Sequence, residues 1–198
     1  MTDTSQNKDP FEQDLLDPNE WRKCAQSVFD SATQFEPQVD AYWKVQGKDR
    51  EAVENHYHTY LMLCGFAFEN IFKAMIVVGR RDDLRGEYRK RKELPKLLRS
   101  HVLSTLAKAA ELEVTEEPVA EILRRLTRHS IWQGRYPFPL DPNDLPAEDA
   151  PFGQFTGLIP ISLFTSHDKP MIQHLFSLAL RILEHRISLQ EKASQIPS

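Results

Sequence analysis

Tyr57-His58-Thr59-Tyr60-Leu61-Met62-Leu63-Cys64-Gly65-Phe66-Ala67-Phe68-Glu69-Asn70-Ile71-Phe72-Lys73-Ala74-Met75-Ile76 is the most strongly periodic stretch of the chain. Tyr57, Tyr60, Leu61, Cys64, Ala67, Phe68, Ile71, Phe72, Met75 and Ile76 recur at three- and four-residue intervals. Side chains so spaced share one helical face, and a wide apolar face must be buried against other elements. The pattern predicts a helix from about Arg50 to Val78, central in a bundle and ended by Gly79.

The flanks carry weaker versions of the same period. Asp17-Pro18-Asn19-Glu20 reads as a helix start, with Asp17 as cap and Pro18 in the first turn. Trp21, Cys24, Ala25, Val28, Phe29 and Ala32 then form a stripe, and Pro37 is placed to kink the chain before Val39, Tyr42 and Trp43. A third helical pattern covers Leu94–Leu112, with Leu97, Leu98, Val102, Leu103, Leu106 and Ala110 apolar and Pro95 in the first turn. Thr115 reads as the cap of a fourth helix whose face is Val119, Ile122, Leu123, Leu126 and Ile131. A last helix spans about His167–Ala193, with Met171, Leu175, Phe176, Ala179, Leu180, Ile182, Leu183 and Ile187 on its stripe. No strand pattern and no internal repeat is evident. The expected class is all-α, a bundle of four to five helices.

Between the last two helices, residues 133–166 carry six prolines and little periodicity. So long a connection inside a domain is usually functional or disordered. Phe152, Phe155, Leu158, Ile159, Ile161 and Phe164 are apolar enough to anchor it on the bundle. The segment opens on Ile131-Trp132-Gln133-Gly134-Arg135-Tyr136-Pro137-Phe138-Pro139. A glycine, an arginine and two prolines among aromatics fix a backbone exit and aim one cation, as a binding-site rim or a rigid corner would.

At 198 residues, and with residues 1–17 read as an acidic flexible N-terminus, 18–193 is expected to be a single domain. The two cysteines, Cys24 and Cys64, lie in helical patterns and read as reduced core thiols. No Cys-x-x-Cys pair or zinc spacing occurs, so neither a metal nor a cofactor is expected. His56 and His58 point to different helix faces, and His56, His58, His101 and His129 all read as hydrogen-bonded surface histidines. The N-terminus lacks the basic start and apolar core of a signal peptide, and no apolar run is read as long enough to span a bilayer. A soluble, cytoplasmic protein without membrane contact is expected.

The formal net charge of −4 is unevenly spread. Residues 1–20 hold six acids against Lys8 alone, whereas residues 79–101 hold nine bases against four acids. Such asymmetry draws polyanions to one face, or marks a solvated loop between helices. The four interrupting acids favour the loop.

Tyr60–Ala74, with Gly65, Glu69, Lys73 and Ala74, resembles the small-residue, Glu-x-x-x-Lys-Ala helix of HEPN domains, all-helical domains named for nucleotide binding in higher eukaryotes and prokaryotes. Leu97–Leu106 around His101 resembles the His-x-Leu segment that follows in several members. Gly134-Arg135-Tyr136-Pro137 is similar to the Arg-Tyr-Pro signature of one branch, which contains uncharacterised bacterial proteins. The likeness covers roughly residues 55–140, and it implies an up-and-down bundle with the long proline-rich loop before the last helix. Catalytic members use Arg-x4–6-His at a composite dimer site, and no histidine follows Arg135 at that spacing. Arg124 and His129 do fit it. Five helical residues turn through about 500°, so those two side chains diverge by about 140° unless the helix unwinds.

Were they to meet, His129 would serve as base or acid for the 2′-hydroxyl of RNA and Arg124 as the phosphate clamp. Glu69 and Lys73 are placed for an i,i+4 pair beside Asn70, with Arg135 a natural further partner for Glu69. Tyr136, Trp132 and Phe138 could stack on a base or pack on the bundle. The first reading is therefore a non-catalytic nucleotide- or RNA-binding or protein-interaction domain, plausibly a homodimer. Its polar site would draw on residues 79–101, Arg135, Tyr136, Glu69, Asn70, Lys73 and His101. The second is a metal-independent ribonuclease of toxin–antitoxin or defence type using Arg124 and His129, and the third a structural subunit that binds a protein partner.

Overall fold

The computed structural model describes residues 9–46, 48–133 and 165–195. Among these there are helices and turns and no strand. The all-α expectation holds. Seven α-helices are present: α1 (Pro10–Leu15), α2 (Pro18–Thr33), α3 (Glu36–Tyr42), α4 (Lys48–Arg91), α5 (Leu103–Ala109), α6 (Glu117–Arg128) and α7 (Asp168–Ser194). A short 3-10 turn, Lys96–Arg99, precedes α5, and a π-helical turn, His129–Gln133, extends α6.

α4 is the axis of the bundle. All ten residues of its predicted stripe are buried, and α2, α3, α5, α6, α7 and the π-helical turn pack against it. Burying a large side chain of this kind stabilises by about 1.5–3 kcal/mol relative to exposure, so this stripe dominates the core. Gly65 sets how closely α6 approaches. A Cβ there would stand 2.7 Å from the Leu126 carbonyl oxygen and 3.0 Å from the Ser130 Cβ. One window of the helix is apolar enough to cross a membrane by length and composition alone. That corrects the reading that no run is long enough. The packing accounts for the apolarity, since 72% of the window is buried inside the protein.

Several boundaries differ from expectation. The expected end at Gly79 is instead a kink, where a second helical stretch follows the first. The backbone departs from helical geometry only at Arg80 (φ −134°, ψ 28°) and then resumes to Arg91, so the first part of the basic segment is helix rather than loop. Pairs at helical spacing, Asp82–Arg85 at 2.7 Å among them, suit that continuation. The helix stops instead at Lys92, which takes a left-handed φ of 54° and donates its N–H to the Tyr88 carbonyl at 2.6 Å.

Pro37 does not kink one helix but stands in the first turn of a separate one, α3. The third pattern divides into the 3-10 turn and α5, and leaves Val102 exposed. Thr115 is not a cap. Glu116 precedes α6, with no side-chain capping bond. These divisions, with α1, raise the count above four or five. Asp17 and Pro18 start α2 as read, the Asp17 carboxylate accepting the Asn19 N–H at 2.8 Å.

The acidic N-terminal stretch is partly structured. Asp9 caps α1, and Leu15 and Leu16 are buried. The Trp21 indole N–H donates to the Leu15 carbonyl at 2.9 Å. Cys24 is exposed rather than a core thiol, because it lies about 100° round the helix from Ala25. The long loop, with Arg135, Tyr136 and Phe138, lies outside the described residues.

Candidate functional site

The second half of α4 presents a row of cations. Arg81, Arg85 and Arg89 follow one another at intervals of four residues, which keeps them on one side of the helix about 6 Å apart along the axis, and Lys92 follows just past the helix end. Arg81, Arg89 and Lys92 are exposed and Arg85 is partly so. Among the described residues, α1 supplies counter-charges to this face from far away in sequence. Arg89 grips Glu12 in a fork, its Nε 3.0 Å from Oε2 and an Nη 2.8 Å from Oε1. Arg85 stands 3.5 Å from the same carboxylate. Asp9 accepts the Tyr88 hydroxyl at 2.7 Å and faces the Lys92 ammonium at 3.4 Å.

These contacts hold both carboxyls below their ordinary range, Asp9 through the Tyr88 hydroxyl and Glu12 through Arg89, against the opposing effect of burial. Chemically the face is an oxyanion receptor, because guanidinium forks match carboxylates and phosphates alike.

A second cluster lies on the N-terminal side of this face. Lys73 Nζ and Glu69 Oε1 are 2.5 Å apart, with side chains 5% and 9% exposed. The other Glu69 oxygen lies 3.0 Å from His101 Nδ1, and Lys73 sits 5.6 Å from the Trp21 ring centre. Glu69, Lys73 and His101, singled out separately in the sequence, therefore form one group. With Glu69 and Lys73 buried and His101 59% exposed, the group ties α4 to the segment that precedes α5. Asn70 is turned into its own helix, its Nδ2 donating to the Phe66 carbonyl at 2.8 Å.

Arg124 and His129 are not brought together. Arg124 lies on the exposed side of α6, pairing with Glu117 and with Glu121 at 3.1 Å. His129 is buried at the α6–π junction, not a surface histidine. Its Nδ1–H donates to the Arg125 carbonyl at 2.9 Å, so its Nε2 accepts from His58 Nδ1 at 3.1 Å. Burial pushes His129 down to about 3, the Arg125 carbonyl opposing. His58 is lowered too, by burial, while Glu54 at 3.6 Å pulls the other way.

No protein-family model, curated protein or solved structure matches the chain.

Beside the histidine pair, one Arg125 Nη donates to both oxygens of the buried Asp168, at 2.9 and 2.7 Å. That carboxylate also accepts the Thr165 hydroxyl at 2.6 Å and the Tyr57 hydroxyl at 3.4 Å. Burial, then the Asp168 charge, pushes the Tyr57 phenol upward, so it stays a donor. The π-helical turn matters here because its wider winding re-aims the side chains that follow α6.

Sequence reading passed over His58 as a partner, along with Arg125, Asp168, Asp9 and Glu12. Their long-range contacts join residues 43 to 111 positions apart, a separation no local pattern reveals. Only the opposite charge of residues 1–20 and 79–101 pointed toward the α1–α4 contact. Among the described residues, no group of three or more His, Cys, Asp or Glu side chains could hold a metal ion.

Proposed function

We propose that this chain is a HEPN-like helical domain that binds single-stranded RNA and does not cleave it. The row Arg81, Arg85 and Arg89 on one side of α4, with Lys92 just past its end, carries the reading. Cations about 6 Å apart along a rigid helix suit successive phosphates of an extended strand. The contact of Glu69, Lys73 and His101 supports the family likeness, because the resemblance drew on those same positions.

Binding without turnover is favoured by the state of the Arg-x4-His pair. Metal-independent cleavage needs a base within hydrogen-bond reach of the 2′-hydroxyl and a cation on the phosphate. His129 is buried with Nδ1 bonded to the Arg125 carbonyl and Nε2 to His58, and Arg124 is engaged by two glutamates.

The test is fluorescence anisotropy of an end-labelled single-stranded RNA at low salt, with the same sample run on a denaturing gel. Wild-type protein is expected to bind and leave the RNA full length. The R81Q/R89Q double variant should bind about tenfold more weakly, as loss of two phosphate contacts implies. RNA shortened by the wild-type protein, or equal binding by both proteins, would overturn the reading.

A further inference from the structure

We propose that α1 is a tethered occupant of the RNA-binding face, its carboxylates standing where phosphates would, so that RNA must displace it. The inference rests on the RNA-binding reading above. Glu12 fills the fork of Arg89 and is shared with Arg85, and Asp9 takes the Tyr88 hydroxyl and the Lys92 ammonium. Three of the four cations in the row are thereby matched to two carboxylates, one in the six-residue α1 and one on its N-cap. Between them the two carboxylates take a guanidinium fork and a second arginine (Glu12) and a lysine and a phenol (Asp9), donors that suit phosphate oxygens equally.

The attachment is uneven along α1. Its C-terminal end is fixed, with Leu15 and Leu16 buried and the Leu15 carbonyl held by Trp21. Its N-terminal end rests on the ion pairs and on Phe11, which is 54% exposed and lies 5.4 Å from the Tyr88 ring. These pairs lie at the surface, with Arg89 62% and Lys92 64% exposed although Glu12 is only 14% so, and surface pairs are individually weak and screened by salt. An RNA strand offers the same anionic contacts several at a time and releases counterions as it binds. The helix can therefore lift at residues 9–12 and stay anchored at residues 15–16, and Arg81, outside the α1 contacts, gives a first foothold.

Two measurements on the full chain test this. In the first, anisotropy with labelled single-stranded RNA compares wild type, Glu12→Gln and Arg81→Gln, each shown by its circular dichroism melt to be folded. Removing the competing carboxylate should tighten binding roughly fivefold to tenfold, and Arg81→Gln should weaken it. The second needs no variant. Hydrogen exchange of the wild-type protein should speed up at residues 11–14 when RNA is added and stay unchanged at 15–16. Equal affinity of Glu12→Gln and wild type, with exchange at 11–14 unaltered by RNA, would overturn the occlusion. If Arg81→Gln still weakened binding in that case, the RNA reading would survive alone. Absence of binding by both wild type and Glu12→Gln would overturn the two together.

Discussion

His129 shows how much of the chemistry is decided by burial. A free imidazole titrates near about 6.5, and in the folded chain desolvation lowers this one to about 3. Between those values the unfolded chain binds a proton that the folded chain refuses. Stability is therefore full above about pH 6.5 and falls as the pH drops toward 3, by about 1.4 kcal/mol per pH unit for one proton. Lowering the pH from about 6.5 to about 5 should cost about 2 kcal/mol, with a further fraction from His58, whose value is lowered as well. Urea unfolding across that range checks it. The His129→Gln variant should flatten the dependence, and an unchanged slope would mean that His129 is protonated in the native state without penalty. The buried Lys73–Glu69 pair follows another rule. Each charge is tolerable because the other is 2.5 Å away, and the Trp21 ring and His101 complete the surroundings.

The helices divide into those their own sequence defines and those defined by contact. α4 is legible because its apolar stripe is continuous from Tyr57 to Ile76, and α2 because Asp17 and Pro18 mark its start. The continuation of α4 past Gly79 is not legible. A glycine with no positive φ is only weak punctuation, and the basic turns beyond it are held by pairs such as Arg85–Asp82 and by α1. α7 is attached in a similar way. Its first turn carries Asp168, buried beneath Arg125 of α6 and the Tyr57 hydroxyl of α4. Arg125→Met would leave that carboxylate buried without its cation, at an expected cost of about 3–5 kcal/mol. Unfolding in urea should show the loss, and hydrogen exchange should place it first at residues 168–176. A variant as stable as the wild type would show that Asp168 is satisfied by its hydroxyl and amide donors alone.

Across the whole molecule the charge asymmetry noticed in the sequence becomes a contact, acidic α1 laid on the basic end of α4. Which sequence elements bear on the site follows from distance along the chain. Glu69 and Lys73 are four residues apart and could be paired on paper, whereas Glu12 and Arg89 are 77 apart and could not. Composition indicated that the ends of the charge distribution differ, and only the fold showed that they meet. The same fold separates Arg124 from His129, which a spacing rule alone would have joined. The central claim is that the exposed cation row of α4 receives RNA. Ultraviolet crosslinking of labelled single-stranded RNA to the intact protein, followed by peptide mapping, tests it most directly. Crosslinked peptides should fall within residues 79–101, and crosslinks confined to other parts of the chain, or none at low salt, would contradict the account.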